Sequence, residues 1–142
     1  MSIWKSSISN IYEKPWGNVR QISSPFCMGA KIINLKAEHR TSLKYYENCN
    51  QLIIIYEGKV MAEAPDEKEF KDFTSDGRNY FELNPGDCLL IQAGSPYRFS
   101  ALKDSVLIEV LGGRRSSNEG DDVVMLEDDY GRATISKNIT GE

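Results

Sequence analysis

His39 is the only histidine in the chain, and that count limits the available chemistry more than any other. Imidazole titrates near neutrality and binds metals through a neutral nitrogen, so zinc and iron sites, catalytic triads and proton shuttles repeatedly draw on it. A site needing two or three imidazoles is therefore excluded within one chain. His39 lies between Glu38 and Arg40 in a polar break, where a solvated surface residue is expected rather than a base. Cys27, Cys49 and Cys88 are odd in number and widely spaced, with no C-x-x-C. That usage fits reduced thiols in a cytoplasmic protein, with Cys49 accessible in a loop and Cys88 buried in a strand. The acidic groups Glu119, Asp121, Asp122 and Glu127 to Asp129 lack the alternating spacing of a calcium loop and read as a solvated face.

The elements that must position any site are strands. The 142 residues are 40% hydrophobic and 27% charged, with 17 Lys and Arg against 21 Asp and Glu for a net charge of −4. This is the composition of an ordinary globular protein, read as a single domain over 1–142 with its core from about 12 to 134. A concentrated basic stripe is absent, which argues against nucleic acid. The longest apolar run, Leu52 to Tyr56, is too short to span a bilayer.

Short β-favouring runs recur between turn signals: 31–35, 42–46, 51–56, 59–63, 79–83, 88–91, 97–101 and 105–111. The consecutive β-branched residues of Gln51 to Tyr56 predict a strand covered on both faces, and Glu57-Gly58 predicts a hairpin turn into the next. Pro85-Gly86 and Ala93-Gly-Ser-Pro96 supply fixed φ and tolerance of positive φ. The charged stretch from Pro65 to Arg78 reads as an elongated hairpin or surface insertion. Val123 to Leu126 is placed to fold back on the barrel before a polar, frayed end. Regularly spaced short strands predict an all-β closed double sheet of the jelly-roll type.

The order of motifs resembles the cupin domain of type II mannose-6-phosphate isomerases. The resemblance rests on Lys14-Pro-Trp-Gly17, Ser42-Leu43, Glu57-Gly58, Pro85-Gly-Asp87, Ala93-Gly-Ser-Pro96, Leu107-Ile-Glu-Val110 and the segment from Glu119 to Arg132. It spans roughly residues 12 to 134. The Pro-Trp-Gly start and the Tyr130-Gly-Arg132 tail are its most specific pieces. Trp16 is expected to pack the barrel end, and Ala37-Glu38 replaces a Pro-Gly turn of the family.

The resemblance implies a metal held by two histidines and a glutamate in H-x-H-x-x-E, with a last histidine after A-G-x-P. Counting from Gly58 and Pro96 puts Tyr46, Asn48, Gln51 and Tyr97 at those positions. A divalent ion needs neutral imidazoles and a carboxylate to replace its hydration shell, whereas Asn and Gln offer neutral carbonyls and a tyrosine hydroxyl ionises only near pH 10. The expected cofactor content is therefore none, the family's metal site being lost.

The substituted positions remain polar and, on the family's pattern, face the barrel mouth, where small molecules bind. Lys31, Lys44, Arg98 and Arg132 are the cations that could meet a phosphate there. The expectation is a barrel that binds a sugar phosphate or nucleotide sugar through Tyr46, Asn48, Gln51, Tyr97, Arg98, Lys44 and Arg132, in a cytoplasmic homodimer. An active sugar-phosphate isomerase, a nucleotide-sugar epimerase or ketoisomerase, and a non-catalytic interaction module are the alternatives. Arg132 has a second reading as a tie between tail and barrel.

Overall fold

The computed structural model describes residues 3, 5–22, 28–65, 78–112 and 123–131. These residues form eleven strands and no helix, so none is long and apolar enough to cross a membrane. The strands are β1 (Tyr12–Lys14), β2 (Gly17–Ile22), β3 (Met28–Leu35), β4 (Leu43–Tyr46), β5 (Asn50–Glu57), β6 (Val60–Pro65), β7 (Arg78–Leu83), β8 (Cys88–Ile91), β9 (Arg98–Ala101), β10 (Ser105–Gly112) and β11 (Val123–Glu127). The expected runs are therefore present, most with one or two residues added or removed, and an N-terminal hairpin turned by Pro15-Trp16 joins them.

One sheet has the order β1-β2-β3-β10-β5-β8, a second the order β7-β6-β9, and β11 pairs with β4. Bridges from Arg40 to Ser100 and from Lys44 to Tyr97 join β4 to β9, extending the second sheet. All strand pairs are antiparallel. Ile33, Leu35, Ile53, Ile55 and Leu107 from the first sheet meet Val60, Ala62, Leu83, Phe99 and Ala101 from the second in one core. Trp16, fully buried, sits in that core, as a packing anchor should.

Two expectations about β5 change. Its side chains alternate between buried and half-exposed or exposed, and Tyr56 is 62% exposed. The outer face of this sheet is not fully covered by the described residues. Glu57-Gly58 also does not close a hairpin, because β5 pairs with β10 and β8 whereas β6 pairs with β7 and β9. The turn carries the chain from one sheet to the other. Consecutive apolar residues cannot distinguish a hairpin from a crossover, since both demand the same turn residues.

The cysteines are the reverse of expectation. Cys49 is 3% exposed, packed with Tyr46, Leu111 and Val123. Cys88 is exposed at the start of β8, which among the described residues is an edge strand bonded to β5 alone. Cys27 lies outside the described residues, as do the acidic positions 119, 121 and 122 and the polar end. Most of the charged 65–78 stretch does too, although its ends pair Pro65 with Arg78 in the β6–β7 hairpin.

Gly58 shows how tightly the crossover is built. Its φ is +94°, and a Cβ there would stand 2.5 Å from the Asp104 carbonyl oxygen and 2.2 Å from Ser105 Oγ. Gly86 has nearly the same φ, +93°, with nothing within 4 Å of its Cβ position. Gly58→Ala is expected to cost about 3 kcal/mol, strain plus clash, and Gly86→Ala roughly 1 kcal/mol from backbone strain alone. Urea denaturation midpoints check both, and equal losses at the two sites would contradict the crowding at Gly58.

Candidate functional site

The inward faces of five neighbouring segments bring together Lys31 (β3), Lys44 and Tyr46 (β4), Gln51 (β5), Tyr97 (just before β9) and Glu109 (β10). Strand alternation and register account for the meeting. On β10, Ser105, Leu107, Glu109 and Leu111 are the buried side chains, and Glu109 stands opposite Lys31 on β3 while Leu111 stands opposite Gln51 on β5. Tyr97 is brought in by its bridge to Lys44, closed by Tyr97 N–H to Lys44 O at 2.9 Å and Lys44 N–H to Tyr97 O at 3.1 Å.

Glu109 is the centre of the group. Its side chain is 1% exposed, and Oε1 accepts from Gln51 Nε2 and, at 3.3 Å, from the Tyr97 hydroxyl. Gln51 Nε2 also donates to the Tyr97 oxygen at 2.6 Å. Oε2 faces Lys31 Nζ at 4.0 Å, and that ammonium donates to the Tyr46 hydroxyl at 2.9 Å. Lys44 Nζ lies 5.3 Å from the centre of the Tyr97 ring, a cation–π contact that is worth more where water is excluded. The Tyr97 ring is steadied by Phe99, tilted against it with centroids 5.2 Å apart. Every hydrogen-bond partner named here for Glu109 is a donor, the set an ionised carboxylate takes.

Exposure gives the group a direction. Lys44, Tyr46, Gln51, Tyr97 and Glu109 are all 4% exposed or less, whereas Lys31 is half-buried, with its side chain 12% exposed. Solvent therefore reaches the cluster along Lys31. A groove of about 300 Å³ lined by Gly17, Asn34, Lys36, Glu57 and Asp104 lies toward the opposite ends of β3 and β10 and touches none of these six side chains.

Of the positions expected from sequence, Tyr46, Gln51, Tyr97 and Lys44 come together. Asn48 does not join them: it is exposed in the turn between β4 and β5. Arg98 is buried but points away from the barrel interior, because it follows Tyr97 and neighbouring strand residues face opposite sides. Its Nε donates to the Thr41 carbonyl at 2.9 Å and its Nη1 to Glu127 at 3.4 Å. Burial, then the nearby Arg40 charge, holds the Arg98 pKa below its ordinary value. Arg132 lies outside the described residues. His39 stays on its turn, its Nδ1 at 2.9 Å from the Ala37 carbonyl. Glu109 was not singled out by sequence reasoning, although its signal was present: alternation places it on the same face as Leu107 and Leu111.

These residues do not fit the metal that the family pattern implies. Gln51 turns its Nε2 donor inward, Asn48 is turned out, the Lys31 ammonium already stands 4.0 Å from the one carboxylate, and the Lys44 ammonium lies over the Tyr97 ring. Among the described residues no three His, Cys, Asp or Glu side chains gather as a metal site.

Solved structures with the same architecture have low sequence identity to the chain. CapF from Staphylococcus aureus, a capsular polysaccharide assembling protein, superposes at TM-score 0.68 with 13% identity over 88% of this chain and 33% of that one. KdgF from Halomonas sp. superposes at 0.59 with 15% identity over 75% of this chain and 90% of that one. Oxalate decarboxylase from Bacillus subtilis does so at 0.66 with 18% identity over 82% and 30%. The fold is an all-β cupin jelly roll. This chain thus spans about a third of the length of CapF. No family model and no curated protein matches it by sequence.

The barrel wall beside this cupin site is held from outside. Among the described residues β11 pairs with β4 alone, inserting Val123 beside Tyr46, and Asp129 just beyond it takes a two-pronged hydrogen bond from Arg40, with Nη2 to Oδ1 at 2.6 Å. Arg40 holds the Asp129 carboxyl below its ordinary value of 3.8. A depressed carboxylate contributes stability that is present above its unfolded value and lost as pH falls through the folded one. Both side chains are well exposed, 43% and 38%, so solvent screening limits the pair to about 0.5 kcal/mol. Asp129→Asn is expected to remove that amount at pH 7 and nothing below the folded value, measured by urea denaturation across pH. A loss that persists undiminished at pH 2 would contradict the assignment.

Proposed function

We propose that the barrel binds a sugar or sugar phosphate in the manner of a mannose-6-phosphate isomerase-like cupin, without that family's metal. The observation that carries the reading is the polar arrangement inside the barrel: Lys31 faces Glu109 and bonds the Tyr46 hydroxyl, the Tyr97 hydroxyl and the Gln51 amide meet Glu109, and Lys44 lies over the Tyr97 ring. Carboxylate, amide and hydroxyl groups pair with sugar hydroxyls as both donors and acceptors. An ammonium group pairs with phosphate as a point charge. In this reading Lys31, the most exposed of the group, meets the phosphate. The likeness to CapF, a capsular polysaccharide assembling protein, supports carbohydrate as well.

The test is a thermal-shift titration with mannose 6-phosphate and mannose in parallel. At about 100 times its dissociation constant a ligand adds roughly 2.7 kcal/mol of stability, several degrees in melting temperature for a chain of this size. Mannose 6-phosphate is expected to give the larger shift, and Lys31→Met to reduce it to that of mannose. Absence of any shift with either sugar counts against the reading, and an unchanged preference in Lys31→Met counts against the role of Lys31.

A further inference from the structure

β3, β10 and β5 carry the charged cluster on their inner side and an apolar surface on their outer side. The outward side chains occupy alternate positions and are half-buried or exposed. Strand register sets them in rows across the sheet. One row runs Ala30, Val110, Leu52, Leu90 from β3 to β8, and the next, two residues along, runs Ile32, Ile108, Ile54. Leu90 is 80% exposed, and Ile22, which continues the first row onto β2, is 39% exposed. No charged side chain interrupts either row. Arg20 ends the second row on β2, and Glu57 lies past the rows at the end of β5.

Size and shape restrict what this face can take. Five strands about 4.8 Å apart and six residues of about 3.3 Å each give an apolar area on the order of 500 Å² in projection, at the upper end of what a monomer leaves exposed. Two such faces together reach the roughly 1,000 Å² that a specific protein interface clears. A sheet surface lacks the concave walls that enclose a small ligand. A lipid surface is met by helices or segments with a basic border, whereas here one arginine and one glutamate stand at the rim of a chain with net charge −4. An identical face fits without any directional partner, because apolar contact is non-directional and two sheets pack face to face about 10 Å apart.

We propose that the outer face of the six-stranded sheet is a homodimer interface, in which two copies stack sheet on sheet about a two-fold axis passing over β10. β10 is the middle strand of β2-β3-β10-β5-β8, and in an isologous contact the same patch serves both copies, so Ile108 and Val110 fall close to the axis. This arrangement gives the homodimer expected from sequence a surface. It differs from pairing along the edge of β8, which would leave Ile108 uncovered. It also backs with a second sheet the three strands that hold Lys31, Gln51 and Glu109, and it does not depend on what the barrel binds.

The experiment is sedimentation equilibrium of the untagged full chain across low to high micromolar concentration. Wild type is expected at twice the 16.0 kDa chain mass. Ile108→Lys, which sets a charge against its own copy near the axis, is expected to raise the dimer dissociation constant about 100-fold or more while keeping the circular dichroism spectrum of the folded chain. Ile108→Thr, still β-branched, is expected to raise it about 10-fold and serves if the lysine variant does not fold. Tyr80→Lys, at a 61% exposed position on β7 of the other sheet, is expected to leave the dimer intact. A wild type that stays monomeric throughout overturns the proposal. So does a dimer as tight in both Ile108 variants as in wild type, which would place the contact on an edge or another face.

Discussion

A carboxylate buried in a barrel constrains everything placed around it. Glu109 sits on the inner face of β10 with essentially no exposure, and the effective cost of desolvating such a charge is several kcal/mol unless donors and an opposite charge surround it. The neighbours comply from four directions: Lys31 across the ladder on β3, Gln51 on β5, Tyr97 ahead of β9, and Lys44 beside Tyr97 on β4. Each lies at the register position that strand pairing dictates. The cluster is thus a property of the fold as well as of the side chains, and slipping β10 by one residue would turn Glu109 outward and bring Ile108 or Val110 in.

The same arrangement explains how a cupin barrel can dispense with imidazole. In a metal-centred site a divalent cation supplies the positive charge and carboxylate and imidazole ligands hold it. On the proposed reading the Lys31 ammonium supplies positive charge, and the carboxylate faces it from β10, a different strand from the β5 position where the family pattern expects its glutamate. Gln51, at that β5 position, donates its Nε2 to the carboxylate. Outside the barrel, Arg98 and Arg40 do unrelated work, fastening Glu127, Asp129 and the β11 segment against β4. One arginine step along β9 separates a side chain of the site from one of the scaffold.

Much of the scaffold was legible because it rests on local chemistry. Cys88–Ile91 and Ser105–Gly112 carry runs of apolar, β-favouring residues, and Pro85-Gly86 marks the turn between sheets. Less legible was anything that depends on which sheet a strand joins. Gly58 signals a turn without saying that it crosses between layers, and the burial of Cys49 depends on Val123, more than seventy positions away in sequence and brought near by the pairing of β11. Of the site, the resemblance pointed to Tyr46, Gln51 and Tyr97 but also to Asn48, which the turn between β4 and β5 sends outward. Glu109 escaped notice because its strand reads as apolar. The face on which a lone charge falls becomes decisive only once its cross-strand partner, Lys31, is known.

The account turns on Glu109 being balanced by lysine rather than by a metal ion. Elemental analysis of untagged protein, wild type beside Glu109→Gln, tests that most directly. The expected result is less than a stoichiometric amount of zinc, nickel, iron or manganese in either, unchanged by the substitution. Stoichiometric metal in the wild type that disappears in Glu109→Gln would make the carboxylate a metal ligand and contradict the account.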